Sequence, residues 1–221
     1  MKSHRTLCLS AAACVLALIA FAFTQPGTHA RADENTDATI VNGVDVTVLS
    51  GLVDALEAFP QGGFVTFFSD TEWQHGMRSF TSFTGYRIHG QMHHQNERQF
   101  VLLGDAAAEL GGTDAAPAAV EELMYAMGTC ITAMANVNAA FMGVRLTQFE
   151  VALECDIKMH GLFGLNPEVR PGIIDGRATI TIAGDADEDT LTKIAMAGYD
   201  FSPVSDSVRN GVKMTPKIVV R

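Results

Sequence analysis

Basic side chains are scarce in this sequence. Fifteen Lys and Arg stand against 25 Asp and Glu over 221 residues, a formal net charge of -10. A nucleic-acid binder needs a basic face for phosphates, so that class is excluded. Charge of either sign is thin as well: 18% of residues are charged, below the usual ~25%. Hydrophobic residues reach 48%, which excludes disorder and provides for a sizeable core. Of four cysteines only Cys130 and Cys155 lie beyond the N-terminal segment, and two thiols are too few for a disulfide framework; no C-x-x-C pair offers zinc or thioredoxin chemistry. Also missing are G-x-S-x-G, a P-loop, H-E-x-x-H and a G-x-G-x-x-G that follows a strand. The length suits one domain, or two small ones.

The N-terminus reads as an address. Lys2, His4 and Arg5 precede an uncharged run from Leu7 to Phe23, followed by Pro26-Gly27 and the small-residue pattern Ala30-Arg31-Ala32. This is the layout of a secretory signal peptide over residues 1–32, with the mature chain starting at Asp33 and residing in the periplasm or outside the cell. The apolar run lies at the short limit of ~17 residues for a span, so an uncleaved anchor is the competing reading. After cleavage no stable membrane insertion is expected. Cleavage takes away Lys2, Arg5 and Arg31 and no acid, so 12 cations face 25 anions and the net charge becomes -13. Cys8 and Cys14 leave too, and Cys130 and Cys155 remain.

In the mature chain, Asp45 is placed to cap a helix with apolar residues Val46, Leu49, Leu52, Val53 and Leu56, ended at Pro60. Phe64–Ser69, Trp73–Phe83 and Arg98–Leu103 read as strands. An Ala- and Gly-rich loop over residues 104–119 then leads into the strongest helix, from about Pro117 to Phe141. Proline suits a first turn, and Glu121 and Glu122 suit the positive helix end. Past Gly143 the period switches to two: Phe149, Val151, Leu153, Cys155, Ile157 and Met159 alternate with polar residues, as in a strand with one buried face. Ile173–Ile182 gives a further strand and Asp187–Ala197 a short helix. Pro203 is expected to break the chain before a closing strand near Lys213–Val220. The pattern is α+β.

Cys130 is the first candidate for chemistry. It lies halfway along the apolar helix, where a cysteine is more often a small core residue than a nucleophile. Thirteen residues past Pro117, it is too far from the helix N-terminus to draw on its positive end. A working thiolate there needs a cation from elsewhere, such as Arg78, Arg87 or Arg98. His89, His93 and His94 crowd together, with His75 upstream, but neighbouring residues of an extended segment point to opposite faces. No metal site is assigned, and no cofactor. Asp185–Asp189 is read as a helix cap region.

Gly111-Gly112-Thr113-Asp114-Ala115-Ala116-Pro117, with Glu121, Leu123 and Met127-Gly128-Thr129-Cys130, resembles the signature of the OsmC/Ohr family of osmotically inducible and organic-hydroperoxide-resistance proteins. Further likeness runs through Gly143-Val144-Arg145-Leu146, Arg170-Pro171-Gly172 and Ser202-Pro203-Val204-Ser205-Asp206-Ser207-Val208, and covers roughly Ala38 to Arg221. The resemblance implies an OsmC-like domain over 33–221: an intertwined homodimer whose long central helices are wrapped by antiparallel sheets. It further implies that Cys130 is the thiol that attacks the hydroperoxide and becomes a sulfenic acid.

Two departures qualify this. The family's second cysteine is replaced by Ser202, which cannot form a disulfide, so the likeness is to a single-cysteine branch that needs an external thiol reductant. The family glutamate ten residues before the cysteine is Val120 here, and Glu121, one step along, is carried as the catalytic partner of Cys130. Oxidative-stress defence through reduction of organic hydroperoxides is the leading expectation. The alternative is a non-catalytic OsmC-like protein that binds a small apolar ligand.

Overall fold

The computed structural model describes residues 39–94 and 97–221; the signal-peptide assignment to residues 1–32 lies outside them. A small antiparallel hairpin, β1 (Ile40–Val41) and β2 (Val44–Asp45), opens the described chain. Asp45 then caps α1 (Val46–Ala58) as expected, its carboxylate accepting from the N–H groups of Thr47 and Val48.

Six strands follow: β3 (Val65–Phe67), β4 (Asp70–His75), β5 (Arg78–Phe83), β6 (Tyr86–Ile88), β7 (Gln91–His93) and β8 (Phe100–Gly104). They form two antiparallel three-stranded sheets, in the orders β4-β5-β8 and β3-β6-β7. The continuous strand expected over Trp73–Phe83 is instead a hairpin. Gly76 turns the chain at φ +59°, where a side chain would be strained, and the Trp73 indole N–H closes on the Gly76 carbonyl at 2.9 Å.

The long helix α2 (Ala119–Phe141) starts two residues after Pro117. It is followed by β9 (Leu146–Ile157), a single-turn α3 (Met159–Leu162), β10 (Ile173–Gly184) and α4 (Glu188–Asp200). β9 and β10 pair antiparallel along almost their whole length, in a register that sets Val151 against Ile180. Phe149, Val151, Leu153, Cys155 and Ile157 are all half-buried, and the residues between them are exposed, as the period of two predicts. Asp187 caps α4 by accepting from the Thr190 N–H.

The core lies where α2, α4 and the β9–β10 ribbon meet. Ala135, Ala139, Val144 and Ile194 are buried there, with Leu146, Phe149, Ile182 and Leu191 packed around them. The two helices approach closely at Gly198: a Cβ there would lie 2.7 Å from the Ala135 Cβ and 2.8 Å from the Ile131 carbonyl oxygen. Asn42 ties the N-terminal hairpin to this core. Its side chain donates to the Val144 carbonyl and accepts from the Leu146 N–H.

The C-terminal expectation is corrected. Pro203 does not break the chain; it opens a fifth helix, α5 (Pro203–Asn210), capped by Ser202. Proline at a first helical position has no N–H to lose, which is the reasoning already applied to Pro117. Lys213–Val220 forms no strand. Its apolar residues Met214, Ile218 and Val220 stand more than 80% exposed, and among the described residues no strand pairs with them.

Candidate functional site

Cys130 sits in the middle of α2 and is half-buried, with a free thiol. At about 100° per residue, it shares one stripe of the helix with Leu123, Met127 and Met134, spaced by four, three and four positions. A different face, carrying Ile131 and Ala135, is fully buried against α4. The Cys130 stripe is thus apolar but only partly covered: Leu123 is 38% exposed, and Met127 and Met134 are half-buried.

Glu121 is not brought to the thiol within one chain. Nine positions separate them, roughly 13.5 Å of rise and half a turn of azimuth. The Glu121 carboxylate instead accepts from the Ala118 N–H at 2.7 Å and closes the first turn of the helix. Beyond that bond it lines an open groove with Leu103, Pro117 and Tyr125.

The loop before α2 is held by a residue that sequence reasoning missed. Asp105, its side chain 1% exposed, accepts from the Thr113 hydroxyl at 2.5 Å and from the N–H groups of Thr113 and Ala115 at 3.2 Å. The Thr113 hydroxyl bond, helped by the backbone donors, holds the carboxyl far below the usual carboxylate range despite its burial. Arg78 braces the same point, donating to the Thr113 hydroxyl at 2.7 and 3.1 Å and lying 3.6 Å from Asp105. Gly112 is required here because a Cβ would collide with the Ala106 carbonyl. An Asp one residue after a strand, eight before the Thr of the Gly-rich loop, is the only signal the sequence carried, and it is a weak one.

The three arginines considered as partners for Cys130 therefore differ. Arg78 is committed to the loop. Arg87 lies over the Phe68 ring at 5.1 Å. Arg98 lies over the Tyr86 and Phe100 rings, and its buried Nε has no hydrogen-bond partner.

The histidines depart from expectation. His93 and His94 do not diverge, because His94 takes a positive φ of 55° at the end of β7. Both rings reach Tyr86, at centroid distances of 5.5 and 5.7 Å. Among the described residues no group of three or more His, Cys, Asp or Glu is placed to hold a metal ion.

Ser202 is completely buried, and its Oγ accepts from the Ser205 N–H at 3.1 Å as the cap of α5. The position that resembles the family's second cysteine is thus occupied by a helix cap. Cys155, the other mature thiol, faces α2 but meets Met124, with Sγ 3.3 Å from Sδ. Met124 is six positions before Cys130, about 9 Å along the axis. A Cβ at Gly128, nearer to Cys130, would lie 3.7 Å from the Leu153 side chain.

Between α2 and the β9–β10 ribbon lies a cavity of about 230 Å³, lined by Leu123, Met124, Met127, Leu153 and Cys155 among others. Cys130 is one turn beyond Met127 and does not line it. Arg177 stands on its rim, paired with Glu154, Asp156 and Asp175 at 2.6–2.8 Å. These bonds push the guanidinium further into its charged form and lower Asp156.

Among the described residues no helix is long and apolar enough to cross a membrane. No curated protein matches the chain in sequence. Three solved structures are similar in part. An osmotic stress induced and detoxification response protein from Psychrobacter arcticus shares 14% identity, with 65% of this chain and 88% of that one covered at a TM-score of 0.48. An OsmC like protein from Mycoplasma pneumoniae shares 10%, over 66% and 88%, also at 0.48. An organic hydroperoxide resistance protein OsmC from Legionella pneumophila shares 12%, over 66% and 90%, at 0.45. The sequence profile of the OsmC-like protein family matches residues 112–217, from the Gly-rich loop through α2 and Cys130 to beyond α5. By that match residues 112–217 of this chain are OsmC-like.

Proposed function

We propose that this protein reduces organic hydroperoxides through Cys130 alone, as a homodimer, with an external thiol as reductant. The observation that carries the reading is the position of Cys130: a free thiol, half-buried, on a partly covered apolar stripe of α2. Such a stripe receives the alkyl part of a hydroperoxide. In the first step the Cys130 thiolate attacks the outer peroxide oxygen, the S–O bond forms, the O–O bond breaks, and the alkoxide leaves as an alcohol after taking a proton. In the second, an external thiol attacks the sulfenic sulfur, water leaves, and a further thiol releases Cys130 from the mixed disulfide.

Ser202 has no sulfur to offer, and the helix register holds Cys155 opposite Met124 rather than Cys130. A disulfide needs Cα atoms ~4.4–6.8 Å apart. Both facts favour an external resolving thiol. Glu121 contributes by fixing the start of α2 rather than by touching the thiol. Arg98, with its unpartnered Nε, is the cation proposed to favour the thiolate.

The homodimer is favoured by apolar faces that one chain leaves open. Phe67 and Trp73 on the N-terminal sheets are 74% and 73% exposed, and exposed apolar surface of this kind marks interaction sites where it is contiguous. The deciding experiment measures consumption of an organic hydroperoxide in excess dithiol. Wild type turns over, Cys130→Ser falls to background, and Arg98→Met slows. Absence of turnover in a folded wild type would instead make the chain an OsmC-like binding protein.

A further inference from the structure

The cavity between α2 and the β9–β10 ribbon is lined by Cys155, Met124 and Met127, and neither Cys155 nor Met124 has a part in the peroxidase reading. Cys155 projects from β9 toward α2, and its Sγ lies 3.3 Å from the Met124 Sδ. Met127, one turn further along the same helix face, lines the same cavity of about 230 Å³. A thiol and two thioether side chains from two elements therefore line one cavity. We propose that Cys155, Met124 and Met127 form a Cu(I) site, with the Cys155 thiolate and the two thioethers closing on a single ion.

Three features favour this ion. Thiolate and thioether are soft donors, which select Cu(I) over hard or borderline cations. Charge supplies the second reason. One thiolate balances one Cu(I), so the assembled site is neutral and sits in an apolar cavity without leaving a net charge buried. A divalent ion in the same set would retain a positive charge there. Third, the charges of both arginines at the rim are offset: Arg177 is paired with Glu154, Asp156 and Asp175, and Arg209, which also lines the cavity, is paired with Asp200. Methionine's three rotatable bonds let both thioethers adjust to the ion. Binding breaks the S–H bond of Cys155, forms an S–Cu bond and releases the proton to solvent; no electron moves.

The site shares Met127 alone with the Cys130 stripe, and the test keeps the two readings separate. Full-length protein with Cys8 and Cys14 replaced by serine is titrated anaerobically with Cu(I) against a chromophoric Cu(I) chelator. This parent and its Cys130→Ser variant are expected to withhold one Cu(I) per chain and to release one proton with it. Cys155→Ser loses that copper, and so does the Met124→Leu/Met127→Leu double variant. Leucine preserves the volume of methionine, so an unchanged circular dichroism spectrum separates a lost ligand from a lost fold. X-ray absorption of the loaded parent is expected to show a shell of sulfur only. The proposal is overturned if the parent withholds no copper, if the copper depends on Cys130 rather than Cys155, or if the Met double variant binds as tightly as the parent. Equal retention of Zn(II) in place of Cu(I) also overturns it.

Discussion

At the start of α2 one carboxylate decides whether the loop from Gly111 to Pro117 keeps its shape. Asp105 collects the Thr113 hydroxyl and two backbone donors, and these bonds stabilise its charged form, so its carboxyl is depressed on folding. A depressed group contributes stability that is complete above the unfolded carboxylate value of ~3.9 and declines as pH falls from there through the folded value. Thermal midpoints of wild type are therefore expected to drop through the acid range. Asp105→Asn should melt lower than wild type at pH 7 and depend less on acid pH. Equal midpoints at pH 7 would remove the loop-holding role. Little of this was legible in the sequence, because Asp105 belongs to no established spacing motif; it becomes important only when the chain folds Thr113 back onto it. The candidate thiol was legible, since a cysteine inside an apolar period is visible in one dimension. Its surroundings were not, because whether a stripe is covered depends on neighbours that the sequence does not order.

Elements were legible in proportion to how local their signals are. α1, α2 and α4 follow from apolar periodicity with Asp45, Glu121 and Asp187 at their starts, and β9 follows from strict alternation. Signals that depend on two readings of one residue misled. Pro203 reads as a breaker, yet its place directly after a Ser makes it the first residue of α5. Gly76, inside a stretch that reads as one strand, turns it into a hairpin. The cap on α5 has a measurable consequence. Ser202→Ala removes the acceptor for the Ser205 N–H inside a fully buried corner, and such a loss costs about 1 kcal/mol. Urea unfolding of the two proteins should show that difference in midpoint with an unchanged slope. A variant as stable as wild type would show that α5 is held by packing alone.

For the molecule as a whole, the described chain is an α+β unit with a buried core around α2, α4 and the β9–β10 ribbon, and with open apolar faces elsewhere. The core forms where Ala135, Ala139 and Ile194 let the two helices close on one another. The N-terminal sheets and the Cys130 stripe are less complete, and the same second chain is proposed to cover both. Light scattering at micromolar concentration is expected to give twice the mass of one chain; a monomer there would contradict the proposed assembly. The α+β class was legible from the order of periods along the sequence. The apolar tail near Lys213–Val220 was not, because a strand pattern says what a segment prefers and not whether a partner edge exists in its own chain.

Whether Cys130 acts as the single reacting thiol is tested most directly by intact-mass and peptide mass spectrometry after one equivalent of organic hydroperoxide, without reductant. The account predicts a gain of one oxygen, mapped to the peptide bearing Cys130, which proceeds to a second oxygen when hydroperoxide is in excess and is reversed by an added thiol at the first stage. A loss of two hydrogens with a Cys130–Cys155 linked peptide would contradict the single-cysteine cycle, and an unmodified Cys130 would contradict catalysis at this site.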